Sequence, residues 1–242
     1  MSDRFYSPAS FRVGEFVLDG PEAHHLATVR RFVPGDVVIL FNGDGNDYPA
    51  EIIATDRKRT VLNLLPPRAI SRELPFRLEV VAAMPKGDRG DFLVEKLTEL
   101  GVTGLTPLLA GRSVVQPKDA RLENLRHAVI EASKQCGRNV LMRVAAPASW
   151  ARMGGDPQLP TVKVFLHPPP AGVPTRRLLD LPIDAIRSGG VVFAVGPEGG
   201  FTEDEVATAE AGGWVRMSLG TRVLRVETAA IAAVAGIVPL VS

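Results

Sequence analysis

The chain holds 242 residues, 45% of them apolar, which is enough for two modest domains or one large one and excludes global disorder. Its 28 Lys and Arg against 27 Asp and Glu leave a formal net charge of +1, so there is no global footprint for nucleic acid and RNA would have to be met by local patches. One cysteine, Cys136, excludes an internal disulfide framework and argues against a cysteine-based zinc site.

The opening Met1-Ser2-Asp3-Arg4 lacks the apolar core of a secretory leader, and the longest apolar run, residues 231–241, is interrupted by Gly236 and Pro239 and too short to span a bilayer. A cytoplasmic protein with no membrane partner is expected. The first 70 residues or so read mostly as strands. Residues 36–41 are strongly β-forming, Asn42-Gly43-Asp44-Gly45 supplies hairpin chemistry, and residues 48–54 and 60–65 continue as strands around a basic turn, Arg57-Lys58-Arg59. Residues 21–29 read as one short helix. Pro66-Pro67 and Pro75 then mark the end of a small barrel-like unit.

From Arg77 the rhythm alternates strand and helix. Residues 78–84 form an apolar strand candidate. Residues 89–100 are helical, with Leu93, Leu97 and Leu100 on one face and Gly101 as the stop. Residues 105–109 follow as a strand and 119–135 as a helix carrying Leu122, Leu125, Val129 and Ala132 on one face. The short apolar runs 162–166, carrying Lys163, and 191–195 fit buried parallel strands, so an α/β domain with a mainly parallel sheet is expected. Residues 154–160 and 168–174 are expected as flexible loops.

Two segments carry chemistry. The run 191–195 leads into Gly196-Pro197-Glu198-Gly199-Gly200-Phe201, and Thr202-Glu203-Asp204-Glu205 opens a helix as a capping box. Alone, such a loop reads as a plain strand-to-helix turn. Three glycines and a carboxylate at a strand end shift it towards a ligand site, because open α/β sheets bind ligands outside the carboxyl ends of their strands. The second segment, residues 217–228, follows a strand candidate at 214–217 and leads into the final apolar helix. Leu219, Val223 and Leu224 offer an apolar slot suited to an adenine ring, whereas Arg222, Arg225 and Glu227 also read as solvated charges at a helix start. No P-loop and no strand-linked G-x-G-x-x-G is present. His24, His25, His127 and His167 show no metal-ligand spacing on a helix, and no metal is expected.

With both loops in view, the chain resembles the RsmE family of small-subunit ribosomal RNA methyltransferases, members of the SPOUT superfamily that modify N3 of a uridine. The specific parts are Gly196-Pro197-Glu198-Gly199-Gly200 and Leu219-Gly220-x-Arg222-x-Leu224-Arg225 with Glu227-Thr228-Ala229. Lys86-Gly87-Asp88-Arg89, Glu99-Leu100-Gly101-Val102, Arg112-Ser113-Val114-Val115, and Glu131-Ala132-Ser133 with Gln135 and Arg138 also fit. So do His25-Leu26, Val29, Arg31 and Gly35-Asp36 near the start, so the likeness spans nearly the whole chain. Arg30 departs from a usual Leu, Thr221 from a common Pro and Val226 from a common Thr.

The resemblance implies a small PUA-like β-barrel over residues 1–72 that helps to grip RNA, and a SPOUT α/β domain with a deep trefoil knot over residues 73–242. It implies S-adenosyl-L-methionine held by Leu166, His167, Gly196, Pro197, Glu198, Gly199, Gly200, Leu219, Gly220, Val223, Leu224, Arg225 and Thr228, with Pro168-Pro169-Pro170 in the third contacting loop. The implied substrate is 16S ribosomal RNA, free or in the small ribosomal subunit, and the implied assembly is a homodimer.

Methyl transfer to N3 requires loss of a proton, and an arginine beside the ring would stabilise the resulting anion; Arg138 and Arg225 are the candidates. Glu198 is a candidate base or, by preference, a support for its own loop through backbone hydrogen bonds; water or hydroxide stays open as proton acceptor. Arg30, Arg31, Arg57, Lys58, Arg59, Lys86 and Arg89 are the candidate RNA contacts. The first 74 residues hold nine basic and ten acidic side chains, so this assignment rests on the resemblance. A SPOUT enzyme acting on another RNA position, such as a ribose 2′-hydroxyl, and a non-catalytic RNA-binding assembly factor are the alternatives.

Overall fold

The computed structural model describes residues 3–154, 156–169 and 176–242. Most of the expected loop 168–174, and Gly155 of the loop 154–160, lie outside the described residues, as do Met1 and Ser2. The chain divides into two compact units, Met1–Glu73 with Ile130–Leu141, and Leu74–Val129 with Met142–Ser242.

The first unit contains β1 (Arg4–Tyr6), β2 (Gly14–Asp19), α1 (Gly20–His24), β3 (Val37–Phe41), β4 (Asn46–Thr55), β5 (Arg59–Leu64) and β6 (Arg68–Ala69). The strands make one mixed sheet in the order β1-β3-β4-β5-β2, with β6 on β4. Alternation places Val38 and Leu40, Ala50 and Ile52, and Leu62 and Leu64 in one core with Phe5, Leu18, Ala23 and Leu26. The expected single helix over residues 21–29 is instead α1 followed by a π-helical turn at His25–Val29, which changes the hydrogen-bond spacing midway.

Asp47 is a buried carboxylate of this unit. Its carboxylate accepts from both terminal nitrogens of Arg4 at 2.9 and 2.7 Å, from Arg72 at 3.2 Å and from the Asn139 amide at 3.1 Å. Burial pushes this carboxyl up, but the hydrogen bonds and charges of Arg4, the Asn139 amide and the charge of Arg72 together hold it below its ordinary value of 3.8.

The second unit contains β7 (Leu78–Ala82), α2 (Asp88–Glu99), β8 (Gly104–Leu109), the first part of α3 (Asp119–Cys136), β9 (Arg143–Val144), β10 (Ala148–Ser149), α4 (Trp150–Gly154), β11 (Val162–Leu166), α5 (Ile183–Gly189), β12 (Val191–Val195), α6 (Glu203–Ala211), β13 (Val215–Met217) and α7 (Val226–Val241). Its sheet is parallel throughout, in the order β10-β8-β7-β12-β11-β13, with β9 on β8. Every residue of β7 and β12 is buried, as expected for central strands covered on both faces. α7 is the most apolar helix, and it packs against α2, α5, β7 and β12.

Asp47→Ala leaves the buried Arg4 without its partner and should cost about 3 kcal/mol or more, read from the urea midpoint. The folded pKa of Asp47 is depressed, so its contribution is fully present above the ordinary carboxyl value and is lost as pH falls through the depressed one. Wild-type stability should therefore decline below about pH 4, and Asp47→Asn should lack that component of the decline.

Candidate functional site

β11 hydrogen-bonds to β12 along one edge and to β13 along the other, with Leu166 level with both Val195 and Met217. The His167 N–H donates to the Met217 carbonyl at 3.0 Å, and the Ala83 N–H to the Val195 carbonyl at 3.0 Å, so pairing runs to the very ends of the strands. A cavity of about 290 Å3 opens at this carboxyl edge. It is lined by Leu166, His167 and Pro168 after β11, by residues 195–200 after β12, by Met217, Ser218, Leu219, Arg222, Val223 and Leu224 after β13, and by Val226 and Ala229 at the start of α7.

The loop after β12 is held from several sides. The Gly200 N–H closes a tight turn on the Pro197 carbonyl at 2.7 Å, and its φ of 70° lies where other residues are strained. A Cβ on Gly196 would stand 3.0 Å from the Phe201 ring, which is buried against Trp150. Thr202 and Glu205 form the expected capping box. The other Glu205 oxygen accepts from the Gly111 N–H at 2.8 Å, and Arg112 donates to the Gly199 carbonyl at 2.7 Å. Burial lowers the His167 pKa, and the charges of Arg216 and Arg112 lower it further against an opposing pull from Glu210.

The structure therefore gathers Leu166, His167, Gly196, Pro197, Glu198, Gly199, Gly200, Leu219, Val223 and Leu224 around one cavity. Gly220, Arg225 and Thr228 stand beside lining residues without lining it; Arg225 is the exposed N-cap of α7 and Thr228 an exposed residue of its first turn. Val195, Met217, Ser218, Arg222, Val226 and Ala229 line it and were not expected as contacts. The position of Ser218 after a strand and of Val226 and Ala229 on a helix's first turns was the available signal.

Glu198 accepts no hydrogen bond from its loop among the described residues. It is exposed, 3.9 Å from Arg89, and Glu205 makes the backbone contacts expected of it. Arg138 belongs to the first unit, where it is 3% exposed and bound to Glu73 at 2.9 and 2.5 Å. Arg30 pairs with Asp3, and Arg31 has a φ of 57°. Arg57, Lys58 and Arg59 are exposed on the β4–β5 turn, where the Asp56 carboxylate accepts the backbone N–H groups of Lys58 and Arg59 at 2.7 and 2.9 Å.

Lys86 and Arg89 line a second cavity of about 290 Å3 with Ala83, Met84, Ser113, Val114, Val115, Pro197 and Glu198. The two cavities share Pro197 and Glu198. On α7, Glu227 is 6% exposed, with one oxygen 3.6 Å from Arg89 and the other without a hydrogen-bond partner.

The first cavity fits a nucleoside-bearing ligand. Leu166, Val195, Met217, Leu219, Val223 and Leu224 give apolar walls, and a Cβ on Gly200 would approach the His167 ring to 3.6 Å, narrowing the rim where backbone must come close to a ligand. Comparison with known proteins points the same way. A family model described as an RNA methyltransferase domain matches residues 72–238, and one described as an RNA methyltransferase PUA domain matches residues 18–65. The chain is 33% identical over 221 residues to the ribosomal RNA small subunit methyltransferase E of Synechocystis sp., covering 89% of this chain and 70% of that one. It is 29% identical over 227 residues to the protein of the same name from Bacillus subtilis, covering 92% and 89%. The crystal structure of a ribosomal RNA small subunit methyltransferase E from Neisseria gonorrhoeae, bound to S-adenosyl methionine, superposes with a TM-score of 0.88 at 31% identity over 99% of this chain and 98% of that one.

Gly196→Ala forces the Phe201 ring against Trp150. It should destabilise the second unit by about 1–3 kcal/mol in urea titration, because the surrounding core is already filled.

Proposed function

Because the chain belongs to the RNA methyltransferase family of the small-subunit ribosomal RNA methyltransferases E, we propose that it transfers the methyl group of S-adenosyl-L-methionine to N3 of a uridine in 16S ribosomal RNA. The observation that carries this reading is the glycine-rimmed apolar cavity at the level ends of β11, β12 and β13.

The bound cofactor supplies an electrophilic methyl group on sulfur. The chain's contribution is placement: Leu219, Val223 and Leu224 would flank the adenine and residues 196–200 would bring backbone close to the ligand, holding the reactants in one geometry. The β12–α6–β13 connection passes β11 before α7 returns to pack on β7 and β12, and the trefoil knot belongs to this reading of the path. A homodimer belongs to it too, supported by the exposed apolar Val223 and Val114 at the rims of the two cavities. No helix among the described residues is long and apolar enough to cross a membrane, and a ribosomal substrate puts the enzyme in the cytoplasm.

Incubation of unmethylated small subunits with the protein and S-adenosyl-L-methionine should yield 3-methyluridine by mass spectrometry of the nucleosides. A ribose-methylated product, or no product and no cofactor binding by calorimetry, overturns the proposal.

Neutral His167 spares a cationic sulfonium ligand a like charge. Its folded pKa lies below the ordinary 6.5, so the neutral form is fully populated above that value and is lost as pH falls through the lowered one. Cofactor affinity should weaken several-fold as the pH falls through the lowered His167 value, on the acid side of the ordinary 6.5, and His167→Gln should flatten that dependence in calorimetry.

A further inference from the structure

The second cavity holds unspent hydrogen-bonding capacity. Arg89 lines it, and its guanidinium stands 3.9 Å from Glu198 and 3.6 Å from Glu227, both beyond hydrogen-bond length. Among the described residues Arg89 donates no side-chain hydrogen bond, so its N–H fork is oriented by two carboxylates but available. Glu227 is buried with an oxygen that no group satisfies. Glu227 is not among the residues that line the cavity and meets it only through Arg89, so the unspent donor capacity that faces the cavity is that of Arg89.

Two cations alone would suit a phosphate, but two carboxylates beside Arg89 repel one. They do not repel an uncharged ring that presents carbonyl oxygens on either side of an N–H, and Met84, Val114, Val115 and Pro197 give that ring apolar walls.

We propose that this cavity is the acceptor subsite and takes a uracil ring, and that Arg89 is a catalytic residue donating to a carbonyl oxygen next to N3. The inference rests on the function proposed above and narrows the expectation that Arg89 is an RNA contact to a contact with the acceptor base. In the step itself the N3–H bond breaks and its electron pair stays on the ring. The N3–carbon bond then forms as the carbon–sulfur bond breaks, with that pair left on sulfur; the proton goes to solvent hydroxide. Arg89 opposes the negative charge that spreads onto the carbonyl oxygen when the proton leaves. Glu227 and Glu198 are positioning residues that hold the guanidinium.

The test uses Arg89→Met, Arg89→Lys and Glu227→Gln on unmethylated small subunits, with three readouts. Arg89→Met should lower the single-turnover rate about 100-fold or more and move the rising limb of the pH–rate profile to higher pH, while cofactor affinity by calorimetry stays within about twofold. Arg89→Lys should restore part of the rate, and Glu227→Gln should act in the same direction as Arg89→Met but less. Without cofactor, small subunits carrying 4-thiouridine at the acceptor position should photo-cross-link to the segments around Met84 or Val114. A rate for Arg89→Met within about threefold of wild type, an unmoved pH profile, or cross-links only elsewhere overturns the inference while leaving the proposed function standing. A wild-type protein that makes no 3-methyluridine overturns both.

Discussion

β11 hydrogen-bonds to β12 along one edge and to β13 along the other, both in parallel, and this double pairing leaves little freedom in where the three following loops emerge. Parallel strands present their carboxyl ends on one side, so Leu166, Val195 and Met217 stand level and the loops after them face a common space. The apolar content of β11 and β12 secures the pairing, since both are buried between helices. The capping box of α6 and the contacts of Arg112 and Glu205 then fix the glycine loop without placing bulk at the rim. A site built this way is organised before any ligand arrives.

Two of the buried carboxylates, Asp47 and Glu227, play opposite parts. Asp47 is surrounded by donors, both its oxygens are satisfied, and it behaves as a structural anchor. Glu227, equally removed from solvent, keeps one oxygen without a partner and faces a guanidinium too far away to bond. Stability alone would favour satisfying or removing such a group. Its one charged neighbour here, Arg89, lines the second cavity.

Much of this was legible in the residues. The strands 162–166 and 191–195 stand at their expected positions because apolar runs of this length need cover, complete for 191–195 and broken at Lys163 and Leu166 in the other. The capping box at Thr202 and the stop at Gly101 follow from local hydrogen-bond chemistry. The two-loop ligand site was legible only in part, because periodicity identifies strands but not their neighbours. Nothing in the order of β7 and β12 along the chain says that they pair. The π-helical turn after His24 left no compositional trace, and the placement of Arg89 between Glu198 and Glu227 depends on three segments that only the fold brings together. The short strands β9 and β10 lack enough residues to carry a pattern.

The first unit is discontinuous along the chain, since Ile130–Leu141 completes it and Asn139 reaches back 92 residues to Asp47. A ribosome delivers that chain from one end only. At about 5–20 residues per second, the N-terminal sheet waits roughly 5–20 s after Asp47 is made before the residue that completes its polar centre exists. The unit's last internal bonds are therefore made after β7, α2 and β8 have been synthesised. The N-terminal unit starts first and finishes late.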